Sequence, residues 1–537
     1  MWSTPPIPSK QKQKNKCHEY FFCITITYQK IVVVRIHLQS RGDRMEKQFL
    51  KTVIAATLLL QAAAFTQTIS NMTMVSRYEG PNNVYHSKHY ASVWGYVAPN
   101  GKEYALLTVE GTNGTANNGG VSIVDMSTPS APVERAYVTA TGSLWHELKT
   151  YRNYMYLCTD QYGSDGMKIV DLSGLTNATP SVQELTAYHT SGSQPVTVNR
   201  CHNLWVDSTH NPPYLYVQNA STSNGVLILS LANPASPTYV GRIAVECHDM
   251  YANNSVRPNR VYVSTGYTRT WDAYDITNVA SPTRISRITF ANVTTLNGTA
   301  LNEVTANTYS HNIWLSQDGN YAFTTQETDR TTVKAWDISG ANETAPKLVG
   351  TWIGSSLTYA NVIAHNVLIR RNLMYVPHYS GGLWVVDISN PAAMVTKGYH
   401  RPSSATAQFS GSWGADNWFP SGLLIHGDME DGLYIVNPDA SFKQTGTDPV
   451  SVAPSISKKG LSISRLNGQS VQFDLPKTGE YLLSILNPAG KTVYSFHGKG
   501  AQGYQIVPMD NRLASGSYVA SLRQNDAYTS TALTIQH

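Results

Sequence analysis

The sequence predicts an all-β protein, a seven-bladed β-propeller followed by a small C-terminal β-sandwich-like domain. Two observations carry this prediction: one strand-and-turn unit recurs seven times, and the composition favours short strands joined by turns. The chain of 537 residues has 38 Gly and 32 Tyr but only 14% charged residues, a mix that suits strands and turns better than helices. Its length exceeds that of one ordinary core, so at least two domains are expected.

The repeated unit consists of a glycine, alternating apolar residues, an aspartate and a turn. Between the first and last copies, six steps cover residues 125 to 437, which is 312 residues and a mean spacing of 52. That spacing accommodates four strands with their loops, and radial stacking of such units buries both faces of each. The residues that end the unit in the seven copies are Asp125, Asp171, Ser230, Asp275, Asp337, Asp387 and Asn437.

Two features of the repeat lead to specific expectations. The terminal aspartate precedes a turn, as in Asp387-Ile-Ser-Asn-Pro391, so its carboxylate is expected to cap that turn. The seventh copy lacks a last strand, whereas Met74–Tyr78, ahead of the first copy, resembles the last strands of other copies. We therefore predict that Met74–Tyr78 pairs beside Leu433–Val436 and closes the ring.

The N-terminal region has the plan of an exported protein. Met45–Ala64 combines a basic lead with a short apolar run that ends in three alanines, which is typical of a secretory signal peptide and too short to span a membrane. We interpret residues 1–44 as untranslated upstream sequence, with the mature chain starting near Phe65. A cytoplasmic extension with an internal anchor is the alternative. The predicted organisation is 1–44 upstream extension, 45–64 signal peptide, 65–440 propeller, 441–456 linker and 457–537 C-terminal β sorting or attachment domain.

Several motifs carry a family resemblance. The Ile-Val-Asp runs resemble the LVIVD repeat, and the stretches around Ala364–Val367 and Phe409–Trp413 are similar to the choice-of-anchor B family of secreted bacterial proteins. The pattern from Gly479 to Leu522 resembles the C-terminal sorting domains of type IX secretion cargo. These resemblances imply a bacterial protein that is secreted or held at the outer cell surface, and they imply no particular reaction.

Charge and hydropathy limit the partners. The formal net charge of +5 is small for this length, and part of it belongs to the first 51 residues, so the sequence predicts no nucleic-acid surface. No segment of transmembrane length follows the predicted signal peptide. The partners that remain are an extracellular glycan, peptide or protein, together with attachment to the outer cell surface.

Histidine opens five of the seven predicted first strands. In a propeller the first strands line the central channel, so equivalent positions form a ring around the axis. Two or three adjacent imidazoles could hold a divalent ion such as zinc, and we predict His202, His248 and His311, with Glu327 or Asp249 as an oxygen ligand or supporting partner. The aligned openings are Trp94, His146, His202, His248, His311, His365 and Trp413.

The ends of the second strands lie at the same face of a propeller and add polar groups to the predicted channel mouth. Such a mouth could bind a sugar or a short peptide. The alternative is structural, because the repeated histidine of WD-type propellers ties loops together by hydrogen bonds. The second-strand residues concerned are Glu110, Asp160, Glu327, His378 and Asp428.

Cysteines and aromatic residues leave alternatives open. Cys158, Cys201 and Cys247 follow the predicted extension, and their odd number excludes a disulfide framework. Cys201 and Cys247 each precede a ring histidine, so they could be buried thiols, a disulfide or metal ligands. A set of aromatic residues is expected to pack between blades rather than to form sugar platforms: Tyr85, Tyr90, Tyr162, Tyr267, Trp271, Tyr379 and Trp418.

Three functional hypotheses follow from the sequence. The first is a secreted or cell-surface binding or scaffold module with an unidentified ligand. The second is a metal-dependent hydrolase or lyase that acts on an extracellular polymer through the histidine ring. The third is a structural surface protein without a small ligand. No catalytic residue is assigned, because the sequence contains no nucleophile elbow, phosphate loop or His-Glu-x-x-His motif.

Overall fold

A computed structural model describes most of the chain beyond residue 67. The described ranges are 68–80, 89–112, 114–161, 165–185, 198–220, 225–303, 307–354, 363–402, 409–446, 462–467, 470–475, 477–487, 491–500, 503–508, 513, 516–524 and 527–535. The predicted extension, the predicted signal peptide and residues 447–456 of the predicted linker lie outside these ranges. Among the described residues, no helix is long and apolar enough to cross a membrane.

Seven antiparallel sheets of at least four strands make up the described part of the chain up to Pro438. In five sheets the strands run in sequence order from an inner first strand outward, and in the other two an N-terminal strand is added at the outer edge. We number the sheets as blades by their inner first strands. The inner strands pack against one another in order, and Ser412–Asp416 of blade 7 lies against Tyr90–Val97 of blade 1. The sheets therefore form a closed ring, which is the β-propeller that the sequence predicts.

The strand bounds of the blades are as follows. Blade 1 contains Tyr90–Val97, Glu103–Val109, Gly119–Asp125 and Val133–Ala140, and blade 2 contains His146–Tyr151, Tyr154–Thr159, Met167–Asp171 and Gln183–Glu184. Blade 3 contains Asn203–Asp207, Tyr214–Gln218, Val226–Ser230 and Thr238–Ile243, and blade 4 contains Asp249–Ala252, Arg260–Ser264, Thr270–Asp275 and Thr283–Thr289. Blade 5 contains Ser310–Leu315, Tyr321–Gln326, Val333–Asp337 and Lys347–Trp352, and blade 6 contains Leu368–Arg370, Leu373–Pro377, Leu383–Asp387 and Val395–Arg401. Blade 7 contains Ser412–Asp416, Leu424–Asp428 and Gly432–Pro438. Short elements between blade strands are the 3-10 turns Ser173–Thr176, Phe290–Asn292 and Gly340–Glu343 and the hairpin of Thr295–Leu296 with Thr299–Ala300.

The N-terminal strands complete the last two blades. Met72–Tyr78 pairs antiparallel with Gly432–Pro438, and this register places Met74 opposite Val436 and Tyr78 opposite Leu433. That is the ring-closing pairing predicted from the sequence. Thr68–Ser70 adds a fifth strand to blade 6 by pairing with its outer strand.

The terminal aspartates of the repeat cap turns, as the sequence predicts. A carboxylate oxygen of Asp125, Asp275 and Asp387 accepts a hydrogen bond from the backbone N–H two residues later, at 2.8, 2.7 and 2.9 Å. At Asp275 the side-chain hydrogen bond from Thr277, followed by the backbone bond, is the main reason that the pKa of the carboxyl lies below its usual range. These aspartates end the third strands at the blade edge, away from the channel.

Apolar side chains fill the space between blades. Trp271 of blade 4 meets Trp336 of blade 5 edge to face at a centroid distance of 5.7 Å, and Trp352 of blade 5 meets Trp384 of blade 6 at 5.9 Å. Such edge-to-face pairs are the preferred geometry for buried aromatic rings. Trp271 thus packs between blades as the sequence predicts.

The C-terminal region forms two further sheets that share one apolar cluster, which includes Phe473 and Leu483. The first sheet contains Ser462–Asn467, Ser470–Leu475 and Gly503–Pro508, and the second contains Gly479–Leu486, Thr492–Gly500, Gly516–Gln524 and Ala527–Ile535.

One disulfide differs from the cysteine pair considered from the sequence. Cys158 is bonded to Cys201, with their Cα atoms 5.4 Å apart, while Cys247 is a buried thiol. The backbone N–H of Cys201 donates to the carbonyl oxygen of Thr159 at 3.2 Å, which brings the approach to blade 3 beside the second strand of blade 2. The sequence alignment missed this contact because it compared only positions ahead of first strands.

Candidate functional site

Five rings stack in a row at one end of the channel. His202, His248, His311, His365 and Trp413 come from consecutive blades 3 to 7. Their neighbouring ring centroids are 4.2, 4.1, 4.2 and 4.3 Å apart in that order. We call this row the imidazole arc. Blade-equivalent positions therefore meet around the axis.

Local irregularities in the first strands help to place these rings. The pairing register shifts between Ser310 and Asn312 in blade 5 and between Ser412 and Gly414 in blade 7. His311 and Trp413 are the extra residues at these two bulges. A bulge redirects the side chain of the extra residue, which explains why Trp413 occupies the level of the histidines.

Two imidazoles of the arc are anchored to the backbone of the next blade. Nδ1 of His248 donates to the carbonyl oxygen of His311 at 3.1 Å, and Nδ1 of His365 donates to that of Trp413 at 2.5 Å. These bonds place the proton on Nδ1 and leave Nε2 with a lone pair. A backbone carbonyl on the far nitrogen is the usual support for a metal-binding histidine.

Burial keeps most of the arc uncharged. Burial, reinforced by neighbouring histidines, holds the pKa of His248 and of His311 well below the usual range, and burial lowers that of His365 to about 3. Metals bind the neutral form of imidazole, so these three side chains need not lose a proton first.

Glu327 brings an oxygen donor to the arc. It follows the second strand of blade 5, and its Oε2 lies 3.6 Å from Nε2 of His311. One donor atom from each of His248, His311 and Glu327 lies within 4.8 Å of the others. Two ligands at the roughly 2.0–2.2 Å typical of tetrahedral zinc are about 3.3–3.6 Å apart. The 3.6 Å between His311 and Glu327 has this spacing, and His248 lies within 4.8 Å of both.

The Glu327 carboxyl is also held in place and readily protonated. The hydroxyl of Tyr379 donates to Oε1 of Glu327. Burial raises the pKa of Glu327 to about 7, against the lowering effects of Tyr379 and His202. A bound cation would favour the ionised carboxylate.

His202 differs from the other histidines of the arc. Its Nδ1 lies 2.7 Å from Oδ2 of Asp160, and Arg200 binds the other oxygen of Asp160 at 3.0 Å. Burial lowers the pKa of His202, but the hydrogen bond and charge of Asp160 outweigh burial, so the net shift is upward. Nε2 of His202 is 2.7 Å from Nε2 of His248. That distance is too short for two ligands of one ion, so the structure brings together His248, His311 and Glu327 rather than the predicted trio with His202.

Two of the predicted ring positions lie outside the arc. His146 has the same place in its strand, but its Nε2 donates to the carbonyl oxygen of Thr141 at 3.0 Å, in the connection between blades 1 and 2. Trp94 lies opposite Leu106, three residues beyond the histidine level. The true equivalent in blade 1 is Ala91, which packs with Trp413.

The remaining predicted polar residues are dispersed. His378 is buried against Trp352 of blade 5, with ring centroids 6.3 Å apart, and its neighbour Tyr379 takes the place predicted for it. Glu110 is buried near Glu430, and Asp428 accepts hydrogen bonds from the backbone of its own turn.

Asp249 directly follows His248 and links the first strands of blades 4 and 5 beside the arc. It accepts a hydrogen bond from the Asn312 amide at 2.5 Å and does not belong to the three-residue cluster with Glu327.

Exposed aromatic side chains surround the arc, and the sequence missed most of them. Trp145 lies 6.3 Å from His202, Tyr267 contacts Tyr309, and Phe409 contacts Tyr379. Trp145, Tyr267 and Phe409 are 37%, 76% and 53% exposed, so Tyr267 does not pack between blades as predicted. The sequence signal for these three side chains was limited to aromatic residues in the loops around the arc.

The comparisons with known proteins agree with the repeat. The family model of the LVIVD repeat matches residues 115–139 and 363–400. No curated protein matches the sequence.

Among solved structures, the chain is similar to a periplasmic gluconolactonase of Pseudomonas aeruginosa, with 10% identity and a TM-score of 0.43, over 59% of this chain and 86% of that one. It is also similar to the β-propeller domain of Cps50 (Swd1) from Myceliophteria thermophila, with 11% identity and a TM-score of 0.41, over 69% and 99%. A putative 6-phosphogluconolactonase from Bacteroides fragilis has 12% identity and a TM-score of 0.39, over 56% and 82%. The chain carries LVIVD repeats on a β-propeller fold.

Proposed function

We propose that this protein is an exported binding module that holds a divalent metal ion, with zinc as the best fit, at the mouth of its channel. His248, His311 and Glu327 are the ligands, and a remaining coordination position faces a polar extracellular ligand. The observation that carries the proposal is the convergence of three donor atoms within 4.8 Å of one another. Two nitrogens and one oxygen with an open position is a common arrangement for zinc.

Export is supported by two independent features. The predicted signal peptide at residues 45–64 precedes the propeller. The Cys158–Cys201 disulfide is of a kind that persists in oxidising compartments. The role at the cell surface, as a binding or scaffold module, rests on these features and on the resemblance of the C-terminal region to sorting domains.

Metal binding is tested by titrating the metal-free protein with Zn²⁺ in a calorimeter. We expect about one ion per chain, and we expect the double variant His248→Gln, His311→Gln to lose that site. The matched control is His146→Gln, which removes a histidine from the equivalent strand position without touching the cluster. Equal binding by the wild type and the double variant would contradict the proposal.

A second candidate function is metal-dependent hydrolysis or elimination on an extracellular polymer. The observation that favours it is the His202–Asp160 pair beside the cluster, because a buried carboxylate that orients an imidazole is a common general acid–base device. Replacing Asp160 by Asn should abolish activity on a polymer substrate without weakening zinc binding. Activity that survives in Asp160→Asn would exclude this role for the pair.

A further inference from the structure

A cavity occupies the end of the channel opposite the imidazole arc. All first strands run in the same direction, so a residue three positions after a ring histidine lies roughly 10 Å further along the axis. Trp205, Tyr251 and Trp314 follow His202, His248 and His311 by three residues each. They line a cavity of about 180 Å³ that receives residues from all seven blades.

Three aromatic rings form one fixed wall of this cavity. The ring centroids of Trp205, Tyr251 and Trp314 are 4.8 to 5.1 Å apart in every pair. The indole N–H of Trp205 donates to the carbonyl oxygen of Ala252 at 2.6 Å, which fixes the orientation of the ring. The wall therefore offers rigid aromatic surface, to which sugar rings and other flat groups bind well.

The opposite side of the cavity is rich in hydrogen-bond donors. Lys149 and Arg152 of blade 2 and Tyr96 of blade 1 line it. Among the described residues, Nε of Arg152 and the hydroxyl of Tyr96 are buried without an acceptor. Buried donors are almost always satisfied in folded proteins. The Tyr96 hydroxyl lies in the field of the Asp171 carboxylate, so Arg152 is the donor on this lining that a ligand with acceptor oxygens would satisfy.

The charge of the lining favours an anion. Of the lining residues in the described part of the chain, Lys149, Arg152 and Arg371 are cationic and Asp207 is the one acid. The carboxylate of Asp207 is occupied by donors from Thr209 and from the backbone of Asn254. Glu147 lies 3.7 Å from the Lys149 ammonium but also accepts a hydrogen bond from Ser92. Asp249 and Asp416 also interact with the Lys149 charge from outside the lining. The lining residues themselves carry a net positive charge, to which Arg152 and Arg371 contribute.

We infer that this cavity is a second binding site, for an acidic monosaccharide unit such as a uronate at the end of a glycan. The aromatic wall would take the sugar ring, and the Lys149 and Arg152 side would take its carboxylate and hydroxyl oxygens. The cavity volume is below the roughly 300 Å³ of a drug-sized site, which suits one ring rather than a longer chain. This site is independent of the metal proposal.

Binding of sodium D-glucuronate, followed by tryptophan fluorescence and calorimetry in the presence of EDTA, tests the inference. We expect glucuronate to bind at least about tenfold more tightly than glucose, since a charge-assisted contact distinguishes the two. Lys149→Met should remove this preference, and the double variant His248→Gln, His311→Gln should keep it. Arg152→Gln provides a second test in case Lys149→Met fails to fold, which circular dichroism would reveal.

Three results would overturn the inference. Equal affinity for glucuronate and glucose would show that Lys149 and Arg152 do not recognise the carboxylate. Loss of binding in EDTA or in the double histidine variant would show that the ligand binds at the metal cluster, at the other end of the channel. Binding of phenylacetate without binding of glucuronate would show that the cavity recognises an aromatic acid and not a sugar.

Discussion

Nε2 of His202 lies 2.7 Å from Nε2 of His248, so these two imidazoles share one hydrogen bond at the channel mouth. Because His248 uses its own proton on Nδ1, His202 is the donor. A protonated His202, held by Asp160, therefore occupies the lone pair that a metal ion would need. The ion and this proton compete for His248.

This competition predicts a pH-dependent metal affinity. The pKa of His202 is raised, and that of Glu327 is raised to about 7, so both groups carry protons that metal binding must release. Zinc affinity should rise as the pH increases from 6 to 8. Calorimetric titrations across this range, in buffers of different ionisation enthalpy, should show proton release. An affinity that is independent of pH would contradict this coupling.

The disulfide should stabilise both the fold and the position of His202. Cys158 and Cys201 are 43 residues apart in the sequence, and closing such a loop contributes about 2–4 kcal/mol to the free energy of unfolding. Cys201 directly precedes His202, and Cys158 lies two residues before Asp160. Chemical denaturation should show this loss of stability in Cys158→Ala, Cys201→Ala. Zinc binding should become tighter, because a displaced His202 no longer occupies the lone pair of His248.

Cys247→Ala is the matched control, because Cys247 is a buried thiol outside the disulfide. It should lose less stability and retain zinc affinity. Equal stability in the double variant and the control would show that the disulfide contributes nothing.

The N-terminal strand should be essential for closing the ring. Deleting Met72–Tyr78 exposes the edge of Gly432–Pro438, and an unpaired strand edge promotes association. We expect the deletion variant to aggregate, as measured by size-exclusion chromatography with light scattering. Deleting only residues 68–70, which add a fifth strand to blade 6, should have a smaller effect. A monodisperse Met72–Tyr78 deletion with unchanged melting temperature would contradict this role.

A buried histidine pair should make the propeller sensitive to acid. Nδ1 of His400 lies 2.7 Å from Nε2 of His426. Burial lowers the pKa of His400 to about 4 and holds that of His426 well below its usual range. The unfolded state therefore binds more protons than the folded state below the ordinary histidine pKa of about 6.5. The contribution of this pair to stability is constant above that pH and is lost as the pH decreases toward 4.

Each such histidine contributes at most about 1.4 kcal/mol per pH unit in that range. The variant His400→Gln, His426→Gln should show a shallower loss of stability between pH 6.5 and 4, measured by urea denaturation. An unchanged slope would mean that other groups govern the acid response.

The sequence predicted the architecture well because the repeat encodes it directly. The spacing of units gave the blades, and the missing last strand in the seventh copy gave the pairing of Met74 with Val436. The alignment also placed His248, His311 and His365 at one level. It failed at Trp94, because blade 1 has the small side chain of Ala91 at the histidine level and the alignment took the aromatic residue three positions later.

The site itself was less predictable, because it depends on side-chain directions. His146 has the strand position of a ring histidine, but it turns toward Thr141. Two further features depend on contacts between blades. Tyr379 rather than His378 contacts Glu327, and Cys158 pairs with Cys201. Such contacts are set by the approach of neighbouring loops, which a single sequence does not specify.

The most direct test of the metal cluster is anomalous diffraction at the zinc absorption edge from crystals grown with Zn²⁺. The account predicts a peak at roughly 2.0–2.2 Å from Nε2 of His248, Nε2 of His311 and a carboxylate oxygen of Glu327, with the Nε2 atoms of His202 and His248 moved apart from their present 2.7 Å. Crystals of His248→Gln, His311→Gln should lack this peak. A channel mouth without anomalous density in the wild type, or a peak bound by other residues, would contradict the account.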